Sequence, residues 1–274
     1  MRTHIDWLTF TISMLYQSEA QEDYAYAIQQ GLKDMFGEEL TREVFGGAWT
    51  HEKRSRAPYK DTWMDADAGI SVYASPNLTH ATVEVSGQGC EALISAGKLN
   101  DILEKCHERV TRIDIASDIE TSVLPSEFVF YLTHDRMRAS GFQKSETGET
   151  CYVGSKKSDR YARVYRYFPP HPRSNLLRVE HVFRRDYAKS VAKSVLGTSA
   201  TDVAAAAGKA FGWGHVEWKP EAAEVADISI VAPERNAGNT VTWLVRSVAP
   251  AIRRLIADGT IKDADAFFDQ YFKP

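Results

Sequence analysis

The chain has 274 residues, of which 43% are hydrophobic and 26% are charged, and its formal net charge is −4. This composition is that of an ordinary globular protein, and the length suits one large domain or a core domain with an appendage. Because no apolar run reaches the roughly 18 residues of a membrane span and no signal peptide is recognisable, we expect a soluble, cytoplasmic protein. Three widely spaced cysteines argue against a disulfide framework and against a cysteine-built zinc site.

The first part of the chain alternates between β-forming and helical patterns. Residues 5–12 are rich in β-formers, which predicts a strand, and residues 19–36 place apolar side chains at helical spacing, which predicts an amphipathic helix. Residues 40–86 break into short β-rich pieces. Apolar residues then repeat at helical spacing from Gln88 to Cys106, which predicts one helix over this stretch.

Strand patterns dominate the middle of the chain. Residues 110–119 alternate cleanly between polar and apolar side chains, and Pro125 predicts a short helix because proline is favoured in a first helical turn. Residues 139–149 are polar and contain glycine, which predicts a loop. Three further strands are predicted over residues 150–155, 162–168 and 176–183.

The composition changes after Ala188, where alanine, serine and lysine become frequent, and residues 240–272 are predicted to form two helices. The order of elements predicts an α+β fold, in which a curved, mostly antiparallel sheet is flanked by helices and followed by a helical C-terminal region. We predict a core domain over residues 1–195. Residues 196–274 would then be a mainly helical extension, packed on the same core or separate from it.

Three of the predicted strands have one polar and one apolar face, because residues two apart in a strand share a face. The polar faces carry acids, arginines and tyrosines, namely Arg112, Asp114, Asp118, Tyr161, Arg163, Tyr165, Tyr167, Arg178 and Glu180.

Two interpretations of these polar faces are open. They could be solvated faces of a half-exposed sheet, in which Asp118 only pairs with Arg112 and Glu180 only pairs with Arg178. Alternatively, Asp114, Asp118 and Glu180 could together hold a hard divalent cation, Mg²⁺ or Mn²⁺, through carboxylate oxygens, beside arginines that bind phosphate.

Basic residues are concentrated between Tyr152 and Lys189, where tyrosine and phenylalanine residues are interleaved with them. A cationic tract with stacking side chains is typical of proteins that bind single-stranded or distorted DNA. A solvated basic face is the alternative. The residues predicted to bind DNA are Lys156, Lys157, Arg160, Arg166, Arg178, Arg184 and Arg185.

Several common catalytic motifs are missing from the sequence. It contains no H-x-H or H-E-x-x-H pair for zinc, no G-x-G-x-x-G or Walker A loop for nucleotide phosphates, and no G-x-S-x-G elbow. The chemistry left open is the cleavage of a phosphodiester, with a carboxylate-bound metal and with tyrosine as a possible nucleophile.

The chain resembles the replication initiation factor family, which includes rolling-circle plasmid initiators, filamentous-phage replication proteins and some conjugative relaxases. Five segments carry the resemblance, in the family's order: IDWLTFTI (5–12), VEVSGQGC (83–90), TRIDIASD (111–118), YVGSKKSDRYARVY (152–165) and LRVEHVFRRDYA (177–188). A later segment, TVTWLVRSVAPAI (240–252), resembles the C-terminal part of the phage members.

The resemblance implies that Tyr165, in an R-x-Y segment with Arg163, is the nucleophile that nicks origin DNA. It places Arg112, Asp114 and Asp118, and also Arg178 and Glu180, in the same site. The family usually continues the segment with an acid and a lysine, whereas Arg166 and Tyr167 follow here, so Tyr167 is a rival nucleophile.

The implied protein cuts single-stranded or melted DNA, retains a 5′-phosphotyrosine link and leaves a free 3′-OH for a host polymerase. Its expected partners are origin DNA, a host helicase and polymerase, and a second copy of the chain. The alternatives are a related conjugative relaxase, a DNA-binding protein without catalysis, and a metal-dependent nuclease that uses water.

Overall fold

The computed structural model of the chain describes residues 2–14, 21–52, 58–75, 78–130, 139–197 and 249–263, with a few single positions beyond them. The chain divides into two compact units, Met1–Val231 and Ala232–Pro274. The boundary predicted near residue 195 falls inside a helix of the first unit, and the division into functional domains stays a prediction.

A curved, open sheet of ten strands forms the centre of the first unit as far as it is described, and all neighbouring strands are antiparallel. The strands are β1 (Arg2–Ser13), β2 (Thr50–Glu52), β3 (Asp61–Asp65), β4 (Ile70–Ala74), β5 (His80–Val85), β6 (Val110–Glu120), β7 (Ala139–Ser145), β8 (Gly148–Val153), β9 (Arg160–Tyr167) and β10 (Leu176–Arg184). Their order across the sheet is β2-β3-β4-β5-β1-β6-β10-β9-β8-β7. The predicted α+β class is confirmed.

Helices cover the apolar face of this sheet. They are α1 (Gln21–Phe36), α2 (Glu38–Phe45), α3 (Gly87–Ser95), α4 (Leu99–Cys106), α5 (Pro125–Phe130) and α6 (Arg185–Gly197). The main core joins Ile113 and Ile115 of β6 to buried residues of α1 to α4 and α6, and a smaller core packs α5 against β8, β9 and β10. Each fully buried leucine, isoleucine or phenylalanine contributes about 1.5–3 kcal/mol relative to an exposed one. The opposite face of the central strands stays polar.

A β-bulge in β1 changes which of its side chains face the core. Ile5 pairs with Ile115 and Trp7 pairs with Asp114, so Asp6 is an extra residue between them. Because the side-chain alternation restarts after a bulge, Ile5 points to the core before it, and Leu8, Phe10 and Ile12 point there after it.

Three segments differ from the prediction. The helix predicted over residues 88–106 is two helices, because Gly97 has a φ of +67° and ends the first of them in a turn. Residues 139–149 are not a loop, since β7 and β8 form a hairpin there. The stretch predicted to be β-rich from residue 40 instead begins inside a helix, which covers Glu38–Phe45.

The second unit is described over one helix, α7 (Ala249–Ala257), which ends in a turn at Gly259, where φ is +76°. It corresponds to the first of the two helices predicted over residues 240–272, and the second lies outside the described residues. No helix in the described part of the chain is long and apolar enough to cross a membrane. Cys90, Cys106 and Cys151 are all buried and free.

Candidate functional site

The antiparallel register brings the polar residues of three strands together on the open face of the sheet. Tyr165 of β9 and Asp118 of β6 both stand opposite Arg178 of β10. Two residues along, Arg163 of β9 stands opposite Glu180 of β10. The polar alternation seen in the sequence therefore builds one continuous surface, because the three strands are neighbours in the sheet.

A cavity of about 800 Å³ opens on this surface. Its wall includes Tyr165, Arg163, Arg178 and Asp118 from the central strands, together with Arg2 and Arg173. The wall also holds four acids, Asp6, Glu91, Asp118 and Glu120, and three of its four arginines pair with acids. Arg173 has no acidic partner among the described residues, and a guanidinium of this kind can bind phosphate through paired hydrogen bonds.

Glu180 lies at the centre of the site and is completely buried. Its Oε1 atom accepts a hydrogen bond from Arg163, and its Oε2 atom accepts one from the Tyr165 hydroxyl at 3.2 Å. Burial, followed by the negative charge of Glu180, raises the pKa of Tyr165 above its ordinary value, although Arg178 and Arg163 oppose the change. Tyr165 is therefore a neutral phenol whose proton points at a carboxylate.

Asp114 of β6 is also completely buried and does not line the cavity. Arg112 binds it with two hydrogen bonds, of 2.9 Å to Oδ1 and 2.5 Å to Oδ2. Burial, with a further contribution from the Glu180 charge, raises the pKa of Asp114 to about 7 against the opposing effect of Arg112. Burial and the Glu180 charge thus both disfavour the charged form of Asp114.

Arg178 joins two acids from different strands. Its Nε and Nη2 atoms donate to Asp118 at 2.6 and 2.8 Å, and its Nη1 atom donates to Asp6 of β1 at 2.8 Å. Burial alone would raise the pKa of Asp6, but the hydrogen bond from His4 and the charge of Arg178 lower it below its ordinary value. This cluster, in which all three charged side chains are less than 15% exposed, forms the floor of the cavity.

The acids do not pair as the solvated-face interpretation expected. Asp118 pairs with Arg178 and not with Arg112, and Glu180 pairs with Arg163 and not with Arg178. Two of the three pairs cross between strands, because cross-strand neighbours approach more closely than residues two apart on one strand. Each predicted metal ligand thus has an arginine as its partner.

The predicted three-carboxylate metal site is not assembled by this arrangement. Asp114 and Asp118 are four residues apart on one strand, which separates their backbones by about 13 Å. Their oxygens also bind arginines, and among the described residues no three histidine, cysteine or acidic side chains are placed to share an ion. As arranged, these residues do not fit a single Mg²⁺ or Mn²⁺ bound by all three.

Most of the residues predicted to contact DNA gather at the turn between β8 and β9, and Arg178 alone of them lines the cavity. Lys156 and Lys157 are exposed in the turn between β8 and β9, where the Lys156 ammonium lies 3.5 Å from the centre of the Tyr152 ring. Arg160 lies next to them at the start of β9, with its guanidinium 5.5 Å from the Tyr187 ring.

Arg184 and Arg185 lie near the same turn, where Arg184 donates to the Lys156 carbonyl at 2.7 Å and Arg185 pairs with Asp159. Arg166 projects from the opposite face of β9 to Tyr165, where it donates to the Thr121 carbonyl, so the structure does not bring it to the cavity. Arg112 is not in the cavity wall either, and its guanidinium lies 4.9 Å from the Trp7 ring.

Sequence reasoning missed Asp6. Simple alternation in residues 5–12 assigns it to the same face as Leu8 and Phe10, which is the apolar face. The bulge releases it from that pattern and places its carboxylate against Arg178. The sequence did carry one indication, namely a charged residue at a position that alternation assigns to the apolar face. Such a residue is costly to bury without a partner, which predicts that a partner exists.

Neither a family model nor a curated protein sequence matches the chain. Among solved structures, the chain is similar to a rolling circle replication initiator protein from Geobacillus stearothermophilus, with 19% identity and a TM-score of 0.48 over 74% of this chain and 83% of that chain. It is also similar to DynU16, a protein of the dynemicin biosynthetic locus, with 12% identity and a TM-score of 0.22 over 74% of this chain and 99% of that chain.

Proposed function

We propose that the chain is a rolling-circle replication initiator that nicks single-stranded or melted origin DNA with Tyr165. The observation that carries the proposal is the contact between the Tyr165 hydroxyl and the buried Glu180 carboxylate, at the wall of a cavity that Tyr165 lines together with arginines and acids. A nucleophile needs a group that takes its proton, and the activated pair is recognised by this hydrogen bond. The resemblance of the sequence to the replication initiation factor family supports the same residue.

In the proposed reaction the Tyr165 oxygen attacks the scissile phosphorus in line. A bond forms between the phenolic oxygen and phosphorus, the bond from phosphorus to the 3′ oxygen breaks, and the phenolic proton passes to Glu180. The leaving 3′ oxygen takes a proton from water in the open cavity. The products are a 5′-phosphotyrosine and a free 3′-OH, and the covalent link keeps the phosphodiester available for rejoining.

The arginines supply the positive charge that this step requires. Arg163 lies 5.6 Å from the centre of the Tyr165 ring and is bound to Glu180, so it stabilises negative charge on the phenol as it forms. Arg173 is an exposed cation of the cavity wall and can turn toward phosphate oxygens, and Arg2 is also exposed but pairs with Glu91 at 2.9 Å. Arg178 holds Asp6 and Asp118 in place and thereby keeps the floor of the cavity in position.

We include a divalent ion, Mg²⁺ or Mn²⁺, in the nicking assay described below, but the proposed reaction does not use it. The paired carboxylates do not fit one ion bound by all three, so no step is assigned to it. If an ion takes part, some of these arginine pairs must open when DNA binds. The further partners proposed are a host helicase, a host polymerase and a second copy of the chain.

The test is a denaturing gel that detects protein covalently bound to DNA. The protein is incubated with single-stranded DNA from the element that encodes it, with Mg²⁺, with Mn²⁺, or with EDTA. We expect a covalent band that is lost in Tyr165→Phe and kept in the matched variant Tyr167→Phe. Loss of the band only in Tyr167→Phe would move the nucleophile to Tyr167 and keep the class of enzyme.

Two other outcomes would overturn the proposal. Free 5′-phosphate ends without a covalent band would indicate a nuclease that uses water. DNA binding without any cleavage, unaffected by EDTA, would indicate a DNA-binding protein without catalysis. A related conjugative relaxase gives the same band, and the genetic element that encodes the chain separates it from an initiator.

A further inference from the structure

A pair of stacked aromatic rings stands at the rim of the cavity. The Tyr167 and His171 rings are 4.0 Å apart between centroids and 20° from parallel. Tyr167 ends β9 two residues after Tyr165 and lines the cavity, and His171 follows in the turn that leads to Arg173. Tyr167 is 39% exposed, so part of its ring stays open to solvent although it packs against another ring.

The two tyrosines of β9 have different surroundings. The Tyr165 hydroxyl donates to Glu180, whereas the Tyr167 hydroxyl has no hydrogen-bond partner among the described residues. Tyr167 therefore lacks an adjacent base, although its ring lies 5.8 Å from the Tyr165 ring, edge to face. A ring without an activating group, but exposed beside the nucleophile, is suited to packing and not to attack.

The charges around the pair point to a nucleic-acid strand as the ligand. Arg173 and Arg163 both line the wall of the cavity that Tyr167 lines. Of the two, Arg173 is exposed and has no acidic partner among the described residues, so it can contact a phosphate. Exposed aromatic rings beside such an arginine form a usual binding surface for single strands, in which bases stack on the rings and phosphates contact the arginine.

We propose that Tyr167 and His171 form a platform that binds one nucleobase of the strand, next to the phosphate that faces Tyr165. The proposal rests on the proposed function for the identity of the ligand as DNA. It assigns to Tyr167 the role of a positioning residue and removes it as a rival nucleophile. Because stacking does not depend on the identity of the base, the platform holds the strand in register without reading its sequence.

The experiment compares two fluorescent probes of about 20 nucleotides, oligothymidine and an abasic strand of the same length. All proteins carry Tyr165→Phe, so that no probe is cut, and binding is followed by anisotropy. We expect Tyr167→Leu to weaken oligothymidine binding about 10-fold, which corresponds to about 1.4 kcal/mol, and to leave abasic binding unchanged, because the abasic strand has no base to stack on the ring. Tyr167→Phe keeps the ring and should bind both probes normally.

A matched control replaces Phe142 of β7 with leucine. This ring is also exposed, at 56%, but it is not part of the cavity wall, so its removal should change neither affinity. Thermal melting confirms that each variant is folded. The proposal is overturned if Tyr167→Leu binds oligothymidine normally, or if it loses affinity for both probes equally, because either result means that no base stacks on the ring.

The failure of this inference can be told apart from the failure of the proposed function. A covalent band lost in Tyr165→Phe, combined with normal oligothymidine binding by Tyr167→Leu, overturns the platform alone. The expected binding pattern without any covalent band supports the platform and overturns the nicking reaction. A covalent band lost in Tyr167→Phe overturns the platform, since the Tyr167 hydroxyl would then be the nucleophile.

Discussion

The Tyr165 hydroxyl donates a hydrogen bond of 3.2 Å to the Oε2 atom of Glu180, a carboxylate with no exposed surface. The two residues belong to neighbouring strands and are offset along them, since Tyr165 stands opposite Arg178 and Glu180 stands opposite Arg163. This diagonal contact brings a weakly acidic phenol to a base without water between them. It defines the proton transfer on which the proposed chemistry depends.

Replacing Glu180 with glutamine should slow nicking sharply and leave DNA binding almost unchanged. Glutamine occupies the same space but cannot take the Tyr165 proton, and a positioned base typically accelerates a reaction by roughly 10²–10⁴. We expect the rate of covalent-band formation in a single turnover to fall at least ~100-fold. The control is anisotropy with uncut DNA, and a nicking rate close to wild type would remove Glu180 as the base.

Stability should fall with rising pH because of Asp114. Its pKa is raised to about 7 in the fold, above the ordinary value of 3.8, so the folded state binds a proton that the unfolded state releases over this interval. This proton stabilises the fold fully below about pH 4, and the stabilisation is lost as the pH rises through 7. Between these values the free energy of unfolding falls by at most about 1.4 kcal/mol per pH unit. Urea unfolding at several pH values measures it.

The matched variants for this measurement are Asp114→Asn and Asp67→Asn. Asp114→Asn cannot bind the proton, so the difference in unfolding free energy between about pH 4.5 and 7 should shrink. Asp67 is exposed in the turn between β3 and β4, and its replacement should leave the difference as it is in the wild type. Equal pH dependence in all three proteins would show that Asp114 titrates normally.

Removing the Arg178 guanidinium should destabilise the fold more than removing an exposed arginine. Arg178→Met leaves the carboxylates of Asp6 and Asp118 without their cation, and breaking a buried charge pair costs about 3–5 kcal/mol. Arg2 also pairs with an acid, Glu91, but the two side chains are 58% and 44% exposed. Arg2→Ala should cost less than about 1 kcal/mol.

Chemical unfolding of these two variants gives the comparison. If Arg178→Met unfolds at the same denaturant concentration as Arg2→Ala, the three-residue cluster does not hold β1, β6 and β10 together. Arg178→Lys should lower the stability nearly as much as Arg178→Met, because one ammonium group cannot reproduce the geometry of the three donated hydrogen bonds.

The lysines of the turn between β8 and β9 should contribute to DNA binding through charge alone. Replacing Lys156 and Lys157 with alanine should weaken binding to any single-stranded sequence. The slope of log affinity against log salt should become shallower by about 0.7 for each phosphate that is no longer neutralised. Lys60, just before β3 and near the far edge of the sheet, is the matched control. An unchanged slope in the double variant would place the DNA elsewhere.

The sequence by itself determined which residues belong to the polar face, because alternation has a period of two in any strand. Residues 110–119 and 176–183 could therefore be interpreted as strands with opposite faces of different chemistry, and Tyr165 could be assigned to the same kind of face as Arg163. Local patterns reach this far because they depend only on the geometry of a single strand.

Tertiary structure alone decided which of these residues meet. Strand order and register paired Glu180 with Arg163, although Arg178 lies only two positions away from Glu180 on the same strand. The bulge at Asp6 and the turn at Gly97 also escaped the pattern, because each depends on one backbone conformation that interrupts a periodic signal. Which side chains pair across strands depends on their distance in space, and the sequence of a single strand does not determine that distance.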